Sequence, residues 1–302
     1  MKTALYIALL SLGAASLSAC GSESSNRRGD TPGGQRNDAP ATVPGGGGGS
    51  GGSETPQNGG NGGGSGNTGS SSEASDGPIV LGFFGGFTSC ASDGETPDPK
   101  EQNLAEAFDE ALAAAAGASE KDPVTIRSCF TSDPSQVHIV TSVDPDKVKS
   151  VSLSNLAKEI DAFLTSKAPG GKLRLVGHSY GGWTVLSLAR TLDPKINVDA
   201  LVTIDPISVR DCNVPSFFAG GAGCRRAPTD FGDDGVAAIK KRVGNWVNFY
   251  QTSDTALYSG AMNGAENIRR EYPRGTLGPH NAFLEDTVVI KKIAEVAAGK
   301  KP

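Results

Sequence analysis

Histidine is the scarcest of the reactive side chains, with His138, His178 and His280 the only three in 302 residues. Chemistry that shuttles a proton through an imidazole has three places to reside and no more. None of the five cysteines stands in C-x-x-C spacing and none has a histidine beside it, which argues against a zinc site. Twenty-eight Lys and Arg face 33 Asp and Glu, a formal charge of −5 with no arginine- or lysine-rich face, so nothing points to nucleic acid as a partner. Large apolar residues are almost missing between Gly21 and Gly77, and beyond that point no apolar run is long enough to cross a bilayer.

What is plentiful is glycine, 41 residues, much of it in the apolar-poor stretch, including the run Gly45 to Gly49. Rich in Gly, Ser, Asn, Pro and Thr, that stretch cannot bury enough surface to offset its ordering entropy and is expected to be a disordered tether. Its 57 or so residues span roughly 40 Å as a random coil. Ahead of it, Lys2 precedes an apolar run from Ala4 to Leu17, too short for a span and ending in small residues, as an export signal does. Leu17-Ser18-Ala19-Cys20 resembles the lipobox of bacterial lipoproteins. That resemblance implies a signal peptide over residues 1–19, with Cys20 as the lipidated first residue of the mature chain. A membrane would then be a partner through this anchor. Gly21 in place of aspartate implies the outer membrane if the host is Gram-negative.

The expected organisation is signal peptide 1–19, lipidated cysteine and tether 20–77, and one folded domain 78–302 of about 225 residues. Setting Cys20 aside, Cys90, Cys129, Cys212 and Cys224 form an even set in an exported chain. Of the three pairings, Cys212–Cys224 and Cys90–Cys129 are favoured. The first closes a glycine-rich loop, and the second ties the first loop of the domain to a neighbouring strand.

Within the domain, apolar runs at 79–84, 124–130, 137–143, 173–177, 200–204 and 243–250 read as strands. Helical spacing marks 100–116, a segment from about Ser152 or Ser154 to the Pro169-Gly170-Gly171 stop, 180–192 and 282–298. Strands alternating with helices predict an α/β fold, a mainly parallel sheet covered on both faces. Whether 124–130 and 137–143 form a hairpin, or the chain makes an excursion to the sheet edge, stays open.

At the centre lies Leu-Val-Gly-His-Ser-Tyr-Gly-Gly, residues 175–182. Gly177, Ser179 and Gly181 fit G-x-S-x-G between a strand and a helix, the turn that lifts a nucleophilic serine above a sheet. A serine needs a base and an orienting acid. His178 points away from its neighbour and reads as packing, and His138 sits on the wrong side of the elbow. His280, in the loop before the last helix, is the expected base. Two acids compete. Asp205 ends its strand directly in Val-Thr-Ile-Asp-Pro and is favoured; Asp254, four residues beyond the following strand, is the alternative. The Tyr180 amide and one amide from Phe84, Gly85 or Gly86 are candidates for an oxyanion hole.

On Gly-His-Ser-Tyr-Gly-Gly, Val-Thr-Ile-Asp-Pro and the late His280, the chain from Ile79 to Ala298 resembles the α/β-hydrolases, close to their bacterial lipase and esterase branch. The resemblance implies a single α/β-hydrolase domain acting on a small-molecule or lipid ester. Ser179 would attack, His280 would carry the proton and Asp205 would hold the imidazolium. No metal or organic cofactor is implied. A non-catalytic binding protein of this fold, an acyltransferase and a thioesterase are the alternatives. Two departures stand out: the first loop lacks a His-Gly pair, and the segment Ile207 to Lys240, carrying Phe217 and Phe218, replaces a long cap. That segment is expected to form a short lid or a surface loop.

Overall fold

In the computed structural model, residues 77–86, 89–90, 105–118, 121–130, 135–208 and 230–300 are described. The expected signal peptide, Cys20, the tether to residue 76, the Cys212–Cys224 pair, Phe217 and Phe218 lie outside these residues.

Among the described residues, eight strands form one sheet: β1 Ile79–Phe84, β2 Val124–Cys129, β3 Gln136–Thr141, β4 Asp144–Ser152, β5 Lys172–His178, β6 Val198–Ile204, β7 Val243–Tyr250 and β8 Glu266–Arg269. Their spatial order is β4-β3-β2-β1-β5-β6-β7-β8. All neighbours are parallel except β2 with β3 and β3 with β4, so β3 alone runs against the rest. The question left open after Val124 resolves as an antiparallel step outward, followed by a second one into β4.

The helices are α1 Ala105–Ala118, α2 Leu153–Lys167, α3 Tyr180–Thr191, α4 Gly232–Arg242, the single turn α5 Gly278–Asn281, and α6 Thr287–Ala297. Successive strand residues point to opposite faces, and two apolar clusters result. Val80, Phe84, Leu173, Leu175 and Leu201 pack with Ile160 of α2, Val185 of α3 and Ile239 of α4. Leu81, Phe83, Val176, Val202 and Val247 pack with Ala111 of α1 and Ile293 of α6. Each fully buried large aliphatic side chain contributes roughly 2 kcal/mol of transfer free energy. Covering both faces explains why the central strands read as mostly apolar runs rather than alternating ones.

Three elements depart from expectation. β4 is an exposed edge strand whose Asp144, Asp146, Lys147 and Lys149 give no apolar run, charges of the kind that keep a sheet edge from pairing further. β8 has four residues, none buried. The segment expected as a short lid or a surface loop is, from 232 onward, the crossover helix α4, with only Gly235 and Ile239 buried. The predicted closing helix is also divided. Ala282–Glu285 is a 3₁₀ turn, and Asp286, extended at φ −79° and ψ 110°, caps α6 by accepting the Val288 amide. Arg270 and the Tyr272 hydroxyl both donate to Asp286 at 2.8 Å. Burial pushes the Asp286 carboxyl up, but the bonds from Tyr272, Arg270 and the Val288 amide outweigh it and hold the group below its ordinary value.

Candidate active site

The turn after β5 is built by close approach. A Cβ on Gly181 would lie 2.0 Å from the Phe84 carbonyl oxygen, and one on Gly177 would lie 2.3 Å from the Gly181 carbonyl oxygen. Only hydrogen fits at either position, so β1, β5 and α3 converge tightly. Ser179 stands at the crossing with φ 57° and ψ −125°, a conformation that costs of order 1–3 kcal/mol for a residue with a side chain. The surroundings fix it there. Its amide donates to the Ile204 carbonyl at 2.9 Å, and its own carbonyl accepts from the Gly182 amide at 2.9 Å and the Ile207 amide at 3.1 Å.

One bond from Ile204 is Asp205, at φ 42°, whose amide donates to the Phe249 carbonyl at 2.8 Å. Its carboxylate is fully buried and accepts a hydrogen bond from His280 Nδ1 at 2.7 Å. Since a carboxylate oxygen only accepts, Nδ1 carries the proton, and the neutral ring keeps its lone pair on Nε2. His280 lies on α5, entered through Leu277 at φ 64°. The imidazole rests against His178, the neighbour of Ser179, with ring centroids 4.7 Å apart.

His178 Nε2 meets the His280 carbonyl oxygen at 3.1 Å and must donate to it. Burial, with the nearby His280 as a lesser cause, pushes the His178 ring down to about 3. It is neutral at physiological pH and supports the backbone of the residue that presents the second imidazole. His138 is elsewhere, on β3, with Nδ1 2.8 Å from the Ser150 hydroxyl.

Between the two acids, it is Asp205 that meets the imidazole. Asp254 Oδ1 accepts the Ala256 and Leu257 amides at 2.8 and 2.9 Å, and Oδ2 faces the His280 backbone amide at 3.4 Å. Asp254 therefore shapes the loop after β7 and touches His280 at the main chain. That loop also holds two groups that nothing in the sequence singled out. Gln251 Nε2 donates to Asp205 Oδ2 at 2.8 Å; Ser259 donates to Asp205 Oδ1 from its amide at 3.0 Å and its hydroxyl at 2.6 Å.

The three loop candidates for an oxyanion donor separate by geometry. Phe84 is the last β1 residue, in register with Ser128 and Gly177. The Gly85 amide is committed to the Ser128 carbonyl at 3.3 Å, which removes it from the set. Gly86 lies directly over the serine, where an added Cβ would be 3.0 Å from Ser179 Cβ and 3.2 Å from Oγ. Tyr180, opposite, opens α3, where backbone amides point out of the helix end. The expected Cys90–Cys129 disulfide is present and ties the end of the Gly85-Gly86 loop to β2. Ser89 adds two bonds to Phe130, one donated by its amide at 2.9 Å and one accepted by its hydroxyl at 3.0 Å. Among the described residues no group of His, Cys, Asp and Glu could hold a metal ion, and no helix is long and apolar enough to cross a membrane.

A mainly parallel eight-stranded sheet with helices on both faces, carrying a strained serine between β5 and α3, defines an α/β-hydrolase fold. No protein-family profile and no curated protein matches the sequence. Among solved structures, the chain is similar to the esterase domain of a Rhodothermus marinus protein. Identity there is 15%, over 73% of this chain and 85% of the other, with a TM-score of 0.40. It is also similar to an extracellular α/β-hydrolase from a Paenibacillus species, at 11% identity over 69% of this chain and 97% of the other, with a TM-score of 0.33.

Proposed function

We propose that the protein is a serine hydrolase cleaving carboxylic esters through an acyl-enzyme. The observation that carries this is the buried 2.7 Å contact between His280 Nδ1 and Asp205, at the sheet edge where Ser179 is held in strained geometry. With Nδ1 donating to Asp205, Nε2 of His280 is the atom that accepts a proton. In this reading it takes the Ser179 hydroxyl proton as Oγ attacks the acyl carbon. It then returns that proton to the leaving alcohol and activates water to release the acid. The Gly86 and Tyr180 amides receive the negative charge that develops on the carbonyl oxygen. Asp205 stays ionised and keeps the ring in one tautomer.

Membrane anchoring through Cys20 belongs to the same proposal and rests on the lipobox residues alone. The location it implies is a membrane surface of a bacterial cell, the outer membrane in a Gram-negative host. Lipidation is tested by mass spectrometry of the membrane fraction: the Cys20→Ala protein should lack the acyl mass and leave the membrane.

Ser179→Ala is expected to remove turnover of an activated short-chain ester by at least about 10³-fold and to abolish labelling by a fluorophosphonate probe. Label mapping to another residue, or activity surviving the substitution, would sink the assignment. Acyl groups moving to an added alcohol in preference to water would identify a transferase instead.

A further inference from the structure

We propose that Gln251 and Ser259 are positioning residues that clamp the Asp205 carboxylate, so that the loop after β7 sets the direction of the His280 ring. This rests on the hydrolase reading for its kinetic consequence, though not for its geometry.

The clamp is read from complete use of donors and acceptors. Asp205 has no exposure to solvent, so its ionised oxygens need protein donors in place of water. Oδ1 receives the amide and hydroxyl of Ser259; Oδ2 receives Gln251 Nε2 and His280 Nδ1. A carboxylate offers about four lone-pair positions, and here four donors occupy them, three of which come from residues 251 and 259. With the carboxylate plane held by those three, the one remaining lone pair fixes where Nδ1 can sit.

Gln251 is as fully committed. Its Oε1 accepts the Ser253 amide at 2.6 Å and the Asp254 amide at 2.7 Å, while Nε2 also donates to the Leu257 carbonyl at 2.7 Å. Two backbone donors on one side and two acceptors on the other leave a single orientation of the side-chain amide. The buried Gln251 therefore shapes the loop that returns Ser259 to the opposite oxygen. Asp254, part of the same loop, faces the His280 amide. Carboxylate, imidazole and the main chain of His280 are thus all referenced to one short loop, which is what precise aim of a general base requires.

The test uses the full chain carrying Ser259→Ala, which keeps the amide and loses the hydroxyl, and Ser259→Thr, which retains a hydroxyl. Gln251→Leu is the harsher variant. Ser259→Ala should lower kcat about 10-fold with KM within about 2-fold and the melting temperature little changed, since a misdirected base affects the transition state more than substrate binding. Ser259→Thr should recover most of the loss, and Gln251→Leu, if it folds, should lose about 100-fold. Independently of activity, the hydrogen-bonded Nδ1 proton gives a far-downfield 1H resonance, assigned by its absence in His280→Ala. Ser259→Ala should move or broaden it. An unchanged resonance together with unchanged kcat would overturn the clamp. Wild-type protein that neither turns over esters nor labels would overturn the hydrolase reading. The resonance would then decide the clamp alone, a shift supporting it and constancy overturning it.

Discussion

The two edges of the sheet turn the chain in different ways. At the edge where β5, β6 and β7 end, the turns use side-chain-bearing residues in left-handed geometry: Ser179, Asp205 and Leu277 are all the positive-φ non-glycine residues among those described, and each is in the candidate triad or leads into it. At the opposite edge, left-handed positions fall to glycine, at Gly170 before β5 and Gly299 after α6. There the stabilising contacts are ordinary and dense. Arg174, nearly buried, donates to Asp199 at 2.7 Å and to the Ala297 carbonyl, joining β5, β6 and α6. Arg242 donates to the carbonyls of Arg190, Asp193 and Ile196, closing the end of α3. The strained residues at one edge carry or lead into the hydroxyl, carboxylate and imidazole of the candidate triad. The other is free to relax and carries stability.

The sharpest way to break this division is Asp205→Asn set beside Arg174→Met. The first should reduce kcat by about 10³–10⁴-fold, far more than any stability lost by turning an amide nitrogen toward a buried donor would cause, as the amide no longer fixes the ring tautomer. Asp254→Asn, by contrast, should cost less than about 10-fold, because its bonds serve the loop. Arg174→Met should lower unfolding free energy by about 2 kcal/mol in urea melts while leaving kcat near wild type. Parallel loss of activity and stability in both proteins would erase the distinction.

The Cys90–Cys129 bond lies at the edge that carries the candidate triad and should show both behaviours. Replacing both cysteines by serine is expected to cost about 2–4 kcal/mol, since the bond closes a loop with a sequence separation of 39. Because the bond also anchors to β2 the segment that follows Gly86, the glycine over Ser179, kcat should also fall by about 10-fold. Full activity in the double variant would separate the disulfide from the site.

A smaller effect concerns His178, whose folded-state value is depressed to about 3 while an unfolded histidine titrates near 6.5. Between those values the unfolded chain binds the extra proton, so stability is intact above pH 6.5 and falls as pH drops, by about 1.4 kcal/mol per unit at most. Urea melts at pH 7, 5.5 and 4.5 should show His178→Gln losing less stability on acidification than wild type. Parallel pH curves would mean that residue 178 is not held neutral. The mildest test is Gly170→Ala at φ 71°, expected to cost about 1 kcal/mol with no change in kcat.

Legibility followed burial. β1, β5 and β7 are read from the chain almost to their ends because both faces of the central sheet are covered and most of their residues are apolar. β4, β8 and α4 escape the same reading because an edge strand and a mostly exposed helix need few apolar residues, and Ile239 among charged neighbours sends no periodic signal. The strained serine announces itself through its glycines, which are required within five positions of chain. Gln251 and Ser259 have no local signature, because their significance is a contact with a carboxylate 46 and 54 residues away.

What the amino-acid order determined by itself was therefore the local geometry: the β5 turn, the alternation that makes an α/β sheet, and a short list of groups able to do acid–base chemistry. Tertiary structure alone decided among them. Asp205 and Asp254 both follow strands of the same sheet, and the packing of the post-β7 loop turned one carboxylate toward the imidazole and the other toward backbone amides. Such a choice depends on distances between segments far apart in sequence, which no pattern of neighbouring residues encodes.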